Sequence, residues 1–490
     1  MGEKREREFD EKRLYRRRRR IRNQIMAYIT VGIFFAAIVV GVVLGVQKLM
    51  GFLAERKQAE EMERQLEEME QQDNENAVVE PPAPIEPSAP TEPEPEVDWL
   101  EEMVESVIAP MPLEDRVAGL FIVRPEDITG VDTVITAGEG TQEALNKYAV
   151  GGLVYFSQNI KDKEQLTEML SKTVSMSRYP IFLAVDEEGG AVRRVGGSGI
   201  EVADVGDMAD IGAGGDSMAA YNAGAEIASY LSELGFNLDF APVADIVTDV
   251  SASAIGKRSF GGDPAAVGAM VGAAVSGIEN MGISACLKHF PGIGAVTEDT
   301  HEGMAKLEKT VDDLRASEFI PFKEGIDAGV HCIMVSHVSA PNIVGSDTPC
   351  SLSEEVITNL LRGELGYDGI VITDAMNMAA ITEYYGADEA AVMALKAGAD
   401  MILMPEDFEM AYEGVLAAVQ EGVITEDRIY ESLKRIYRVK YRDRLDQDGN
   451  VVDGISESQE AAGESQEMIE EEEQDAAGAN GEETLETEEQ

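Results

Sequence analysis

The chain has 490 residues, 44% of them apolar, which is enough to bury a large core as one barrel or two ordinary domains. Its formal charge of −53 excludes a nucleic-acid binder, which needs a basic face. Three cysteines (Cys286, Cys332 and Cys350) cannot form a closed disulfide framework, and Cys286 and Cys332 lie in apolar runs that suit a small buried thiol.

Residues 1–24 form a basic segment that includes Arg16 to Arg20. The run 25–46 carries no charged residue. As a helix rising about 1.5 Å per residue it just covers a hydrocarbon core of about 30 Å, and no small-residue cleavage site follows it. A single transmembrane helix is therefore expected, with the basic flank cytoplasmic and the rest of the chain outside the cell membrane. Residues 47–98 read as a stalk and linker. Met62, Leu66 and Met69 recur at helical spacing within a Glu/Gln/Arg-rich stretch too short to specify a coiled coil, and Pro81 to Pro95 is an extended Pro/Glu run. No Lys or Arg follows Arg444, and residues 448–490 are too acidic and too poor in large apolar side chains to fold, so a disordered acidic tail is expected.

Between these flanks, residues 99–447 alternate short apolar runs with helical patterns. The runs fall at 119–123, 150–156, 181–186, 236–243, 283–289, 331–337, 369–374 and 400–404. Asp263 to Met281 and Ser353 to Leu365 are among the helical stretches between them. An open doubly wound sheet is the competing arrangement, but eight β/α repeats favour closure into a single TIM-type (β/α)8 barrel. Gly196-Gly197-Ser198-Gly199 lacks the Lys-Ser/Thr of a phosphate-binding loop and reads as a surface loop.

Polar groups at the carboxyl ends of barrel strands form active sites, whereas mid-strand positions are core. The third run ends in Asp186-Glu187-Glu188 with Arg193 and Arg194 beyond it, and the fourth is followed by Arg258. The fifth carries Lys288, His289, Asp299 and His301, the sixth ends at Ser336-His337, and the seventh at Asp374. One such group in isolation reads as a strand-end or loop residue. Five successive strands placing them at one mouth reads as a site for a polar, hydroxyl-rich substrate, for which paired carboxylates and cations supply charge-assisted hydrogen bonds. Asp239 and Asp245 read as ties between the fourth strand and its loops, Met376 and Met378 as packing, and Arg193 as a solvated neighbour. His337 is balanced between binding and structure.

The segment Lys288-His289-Phe290-Pro291-Gly292-Ile293-Gly294, followed after four residues by Asp299-Thr300-His301, resembles the fingerprint of the β-N-acetylglucosaminidase branch of glycoside hydrolase family 3. Asp186 to Arg194, Ile255 to Pro264 and Ser351 to Met378 are similar to three further motifs of that family. The one departure in the fingerprint is Ile293, where the family usually has His. The resemblance implies Asp374 as nucleophile, His301 as general acid/base, and Asp299 as its partner in a dyad. It implies that Asp186, Arg194, Arg258, Lys288 and His289 hold the terminal sugar, with Gly292 and Gly294 allowing the loop to move. No metal or organic cofactor is implied.

The expected function is removal of terminal β-N-acetylglucosamine from peptidoglycan-derived glycans, with retention through a glycosyl-aspartate. Phosphate in place of water is a close variant. A family 3 β-glucosidase or xylosidase fits less well, because those enzymes generally take an acid/base carboxylate from a domain after the barrel. An inactive wall-binding barrel is the reading from another class.

Overall fold

The computed structural model describes residues 98–296 and 303–442. The expected transmembrane helix at 25–46, the flanks at 1–24 and 47–97, the tail, and both Asp299 and His301 lie outside the described residues. Among those described, no helix is long and apolar enough to cross a membrane.

All eight apolar runs become strands of one parallel sheet. They are β1 (Phe121–Val123), β2 (Gly152–Val154), β3 (Phe182–Val185), β6 (Leu238–Asp239), β7 (Ser284–Phe290), β8 (Cys332–Val335), β9 (Ile370–Thr373) and β10 (Ile402–Leu403). Every residue in these strands is buried, as a parallel sheet covered on both faces requires. A small antiparallel hairpin, β4 (Glu187–Gly189) with β5 (Val192–Arg193), leaves the end of β3 and was not anticipated from the sequence. Its residues are charged and glycine-rich, so no apolar alternation marks it.

The strand order runs β10-β1-β2-β3-β6-β7-β8-β9. The two terminal strands meet through an isolated bridge between Ile372 and Met401. Thr373 N donates to Met401 O and Met401 N to Val371 O, both at 3.0 Å, and Leu403 N donates to the Thr373 hydroxyl at 3.1 Å. The result is a nearly closed eight-stranded barrel.

Helices form the outer layer with ordinary end signals. Asp263 caps Pro264–Glu279 by accepting from Ala266 N at 2.8 Å, with Pro264 in the first turn where its missing N–H costs nothing. The helix over Ser353 to Leu365 appears at Glu355–Glu364, and the helix Glu426–Tyr441 packs against β9 and against the helix Trp99–Ile108.

At the amino-terminal end of the seam, Asp400 is fully buried. Oδ2 accepts from Val371 N at 2.9 Å and Arg362 at 2.5 Å, while Oδ1 accepts from Ser432 at 2.7 Å. Arg435 and Arg428 lie 3.5 and 3.7 Å from Oδ1. One carboxylate thus ties β9, β10 and two outer helices together. Replacing one partner of such a buried ionic group leaves the others uncompensated. Asp400→Asn is expected to cost about 3–5 kcal/mol in denaturant unfolding. It should leave KM unchanged, because it lies at the end of the barrel opposite the mouth.

Candidate active site

The site is built at the carboxyl ends of β3, β6, β7, β8 and β9. Its centre is Lys288 near the end of β7, only 2% exposed. A bare ammonium cannot be buried there, and two carboxylates receive it. Nζ is 2.7 Å from Asp186 Oδ1 and 2.6 Å from Glu188 Oε1. Burial works to strip its proton, but Asp186 and Glu188 outweigh it and hold the amine protonated well above its usual range.

Glu188, on β4, is shared with Arg258, on the short turn Gly256–Arg258. Arg258 donates through Nε and one terminal nitrogen to both Glu188 oxygens at 2.7 Å. Burial alone would raise the Glu188 pKa. The fields of Lys288 and Arg258, with their hydrogen bonds, reverse that and hold it at about 2. Arg194 Nη2 lies 3.7 Å from Asp186 Oδ2, and its guanidinium lies over the Phe156 ring at 5.5 Å. Arg193 turns away to Asp204 at 2.9 Å.

Lys288 and His289 are consecutive, yet both join the mouth. The register between β7 and β8 shifts between Leu287 and Phe290, and such a bulge re-aims side chains that alternation would send to opposite faces. The His289 ring Nδ1 is 2.7 Å from Asp245 Oδ2.

Asp374 follows the last residue of β9 and is partly open to solvent. Ala375 N donates to its Oδ1 at 2.8 Å. Burial works to raise its pKa, but His337, His289, the Ala375 N–H and Lys288 together hold the carboxyl below its usual range. It is an ionised carboxylate at the barrel mouth. The fully buried His337 holds the turn beyond it, through Nε2 to Ala375 O at 3.0 Å and Nδ1 to Ser351 Oγ at 2.7 Å. Those bonds give His337 a structural part, and it also stands among the groups that hold Asp374 ionised.

Asp239 ends β6 in complete burial. Its Oδ1 accepts from Glu187 N at 2.9 Å, and its pKa is driven well above the ordinary value, foremost by burial. Burial thus favours its neutral form beneath the charged cluster.

A family model described as the glycosyl hydrolase family 3 N terminal domain matches residues 113–439. The chain belongs to glycosyl hydrolase family 3. A beta-hexosaminidase of Stenotrophomonas maltophilia (strain K279a) is 36% identical over 58% of this chain and 84% of its own length. Beta-hexosaminidase A of Pseudoalteromonas piscicida is 31% identical over 61% of this chain, which spans 54% of that protein. Among solved structures, a family 3 beta-N-acetylglucosaminidase from Paenibacillus sp. str. FPU-7 matches with a TM-score of 0.64 and 36% identity. That match covers 68% of this chain and 62% of the other.

Within this family 3 barrel, Asp186, Arg194, Arg258, Lys288, His289 and Asp374 all fall on the one mouth. The sequence assigned no role to Glu188, which proves to be the shared counter-ion of two cations. Its signal was available, since residues two apart on an extended strand share a face and Asp186 and Glu188 are two apart. Asp245 ties strand segments as expected, and one of its partners is His289. Gly292 and Gly294, expected to permit movement, also have packing duties. Gly292 is in the left-handed region at φ 114°, and a Cβ on it would meet the Glu318 side chain at 2.4 Å. A Cβ on Gly294 would meet Ile246 O at 2.1 Å.

The Glu188 carboxyl is more acidic folded than unfolded. Its stabilisation is therefore complete above its ordinary pKa of 4.5 and is lost as pH falls toward about 2. Glu188→Gln is expected to destabilise the barrel by about 3–5 kcal/mol, to remove that part of the acid dependence of unfolding, and to raise KM. Urea titrations from neutral to acid pH, with steady-state kinetics alongside, read all three.

Proposed function

We propose that the chain is a retaining β-N-acetylhexosaminidase that removes terminal β-N-acetylglucosamine from peptidoglycan-derived glycans. The observation that carries this is the ionised Asp374 carboxylate at the mouth of the barrel, together with a cation cluster suited to sugar hydroxyls. Relatives named beta-hexosaminidase and beta-N-acetylglucosaminidase support the amino-sugar class.

In this reading Asp186, Arg194, Arg258, Lys288 and His289 bind the non-reducing-end sugar. An Asp374 oxygen attacks the anomeric carbon as its bond to the leaving oxygen breaks, and the His301 ring N–H gives that oxygen its proton. Asp299 accepts from the other ring nitrogen and orients the imidazole. Water then attacks the anomeric carbon and passes a proton to the neutral His301, and Asp374 leaves as carboxylate. Two displacements restore the β configuration.

The uncharged run 25–46 after a basic segment supports an enzyme tethered to the cytoplasmic membrane with its barrel outside. Turnover of cell-wall fragments suits that position.

With an aryl β-N-acetylglucosaminide as substrate, Asp374→Ala is expected to lower kcat by about a thousandfold or more. The first-formed sugar, followed by NMR, should be the β anomer. An α product, full activity in the variant, or preferential turnover of an aryl β-glucoside overturns the reading. Parallel reactions with added phosphate, searched for sugar 1-phosphate, distinguish hydrolysis from phosphorolysis.

A further inference from the structure

Glu187 opens the β4–β5 hairpin, is fully buried, and has no part in the steps above. It stands in sequence between Asp186 and Glu188, the two carboxylates on Lys288, yet its own side chain bonds elsewhere. Oε2 accepts from Val195 N at 2.8 Å, and Oε1 accepts from Gly196 N at 2.9 Å. Oε1 also accepts from the Tyr230 hydroxyl at 2.9 Å, on the outer helix Ser217–Leu234. Burial, and then Glu187 itself, push the Tyr230 phenol above its usual range, so it remains a donor. The Glu187 amide is fixed in turn by Asp239 Oδ1 at 2.9 Å.

These bonds grip the two residues that directly follow Arg194. The hold on the Arg194 side chain is slack by comparison. Its Nη2 lies 3.7 Å from Asp186 Oδ2, beyond hydrogen-bond range, and its guanidinium rests over the Phe156 ring. Its buried Nε has no hydrogen-bond partner among the described residues. The backbone therefore decides where this guanidinium starts from. Ser157 Oγ donates to Arg194 O at 3.1 Å on one side, and Glu187 holds the amides on the other. The turn is also packed closely: a Cβ on Gly197 would meet Arg193 O at 2.4 Å. A glutamine in place of Glu187 has one acceptor oxygen, and its NH2 would face either Val195 N–H or the Gly196 and Tyr230 donors.

We propose that Glu187 is a positioning residue for the terminal sugar: by holding the amides of Val195 and Gly196 it sets Arg194 beside Asp186 at the mouth. Through Tyr230, the outer helix takes part in that placement. The inference rests on the reading of Arg194 as a sugar ligand. A tie that served the fold alone would lower the amount of folded enzyme and leave KM where it is.

Full-length wild type, Glu187→Gln, Arg194→Ala, their combination and Asp400→Asn are compared on an aryl β-N-acetylglucosaminide. Glu187→Gln is expected to raise KM about tenfold with kcat within about twofold of wild type, the split that marks lost binding. On the Arg194→Ala background the same change should move KM by less than about twofold, because the group it positions is gone. Asp400→Asn, weakened at the far end of the barrel, should keep the wild-type KM.

Tyr230→Phe removes one donor and spares the carboxylate, and it decides the matter should Glu187→Gln not fold. It should raise KM about threefold, and only where Arg194 is present. An unchanged KM in the folded variants, or equal rises with and without Arg194, overturns the role of Glu187. A raised KM in Arg194→Ala beside an unchanged one in Glu187→Gln removes Glu187 alone. An unchanged KM in Arg194→Ala removes Arg194 as a sugar ligand, and the role of Glu187 with it.

Discussion

The site depends on a cation buried where no lone cation can stay. Lys288 is at the inner end of β7, and its ammonium persists because Asp186 and Glu188 converge on it from the segment after β3. Glu188 in turn fixes Arg258. Four side chains from three separate segments therefore stand or fall together. The charge is nearly balanced within the cluster, so the barrel tolerates it, while Arg194 beside Asp186 keeps further donors near the opening.

That cluster also sets the state of Asp374. A nucleophile must be ionised, yet burial favours its protonated form. The fields of His337, His289 and Lys288, with the Ala375 amide, reverse that preference. Asp239, fully buried at the end of β6, is pushed the other way, foremost by burial. Two aspartates on neighbouring parts of the same barrel are thus pushed in opposite directions by what surrounds them. The two ends of the cylinder divide the labour in the same manner. Ionic groups at the carboxyl end serve chemistry, while Asp400 and its arginines at the amino end serve cohesion.

Much of this was legible in the sequence because the signals were local. Eight apolar runs with helical spacers gave the barrel and its strand positions. The polar residues at the ends of those runs gave the mouth, and the motif likeness suggested roles for Asp186, Arg194, Arg258, Lys288, His289 and Asp374 among them. What local reading missed was pairing across distance. Nothing near Glu188 says that Arg258, 70 residues on, will grip it, or that Lys288, 102 residues beyond Asp186, will bridge to both. Asp245 appeared as a strand tie because its link to His289 depends on the bulge in β7, and a bulge leaves no mark on apolar periodicity. The 187–193 hairpin was hidden for a related reason, since its residues follow function and not burial.

Closure of the barrel has one asymmetry. Seven of its strand contacts are backbone ladders, which almost any side chain permits. The eighth, between β9 and β10, is an isolated bridge with its own peptide hydrogen bonds, reinforced by the Thr373 hydroxyl and the Asp400 carboxylate. Drift elsewhere in the wall is buffered by peptide groups that substitution cannot delete. At this join peptide hydrogen bonds share the load with a hydroxyl and a carboxylate, so part of its integrity is written in replaceable atoms, and Asp374 follows directly on the strand that they secure.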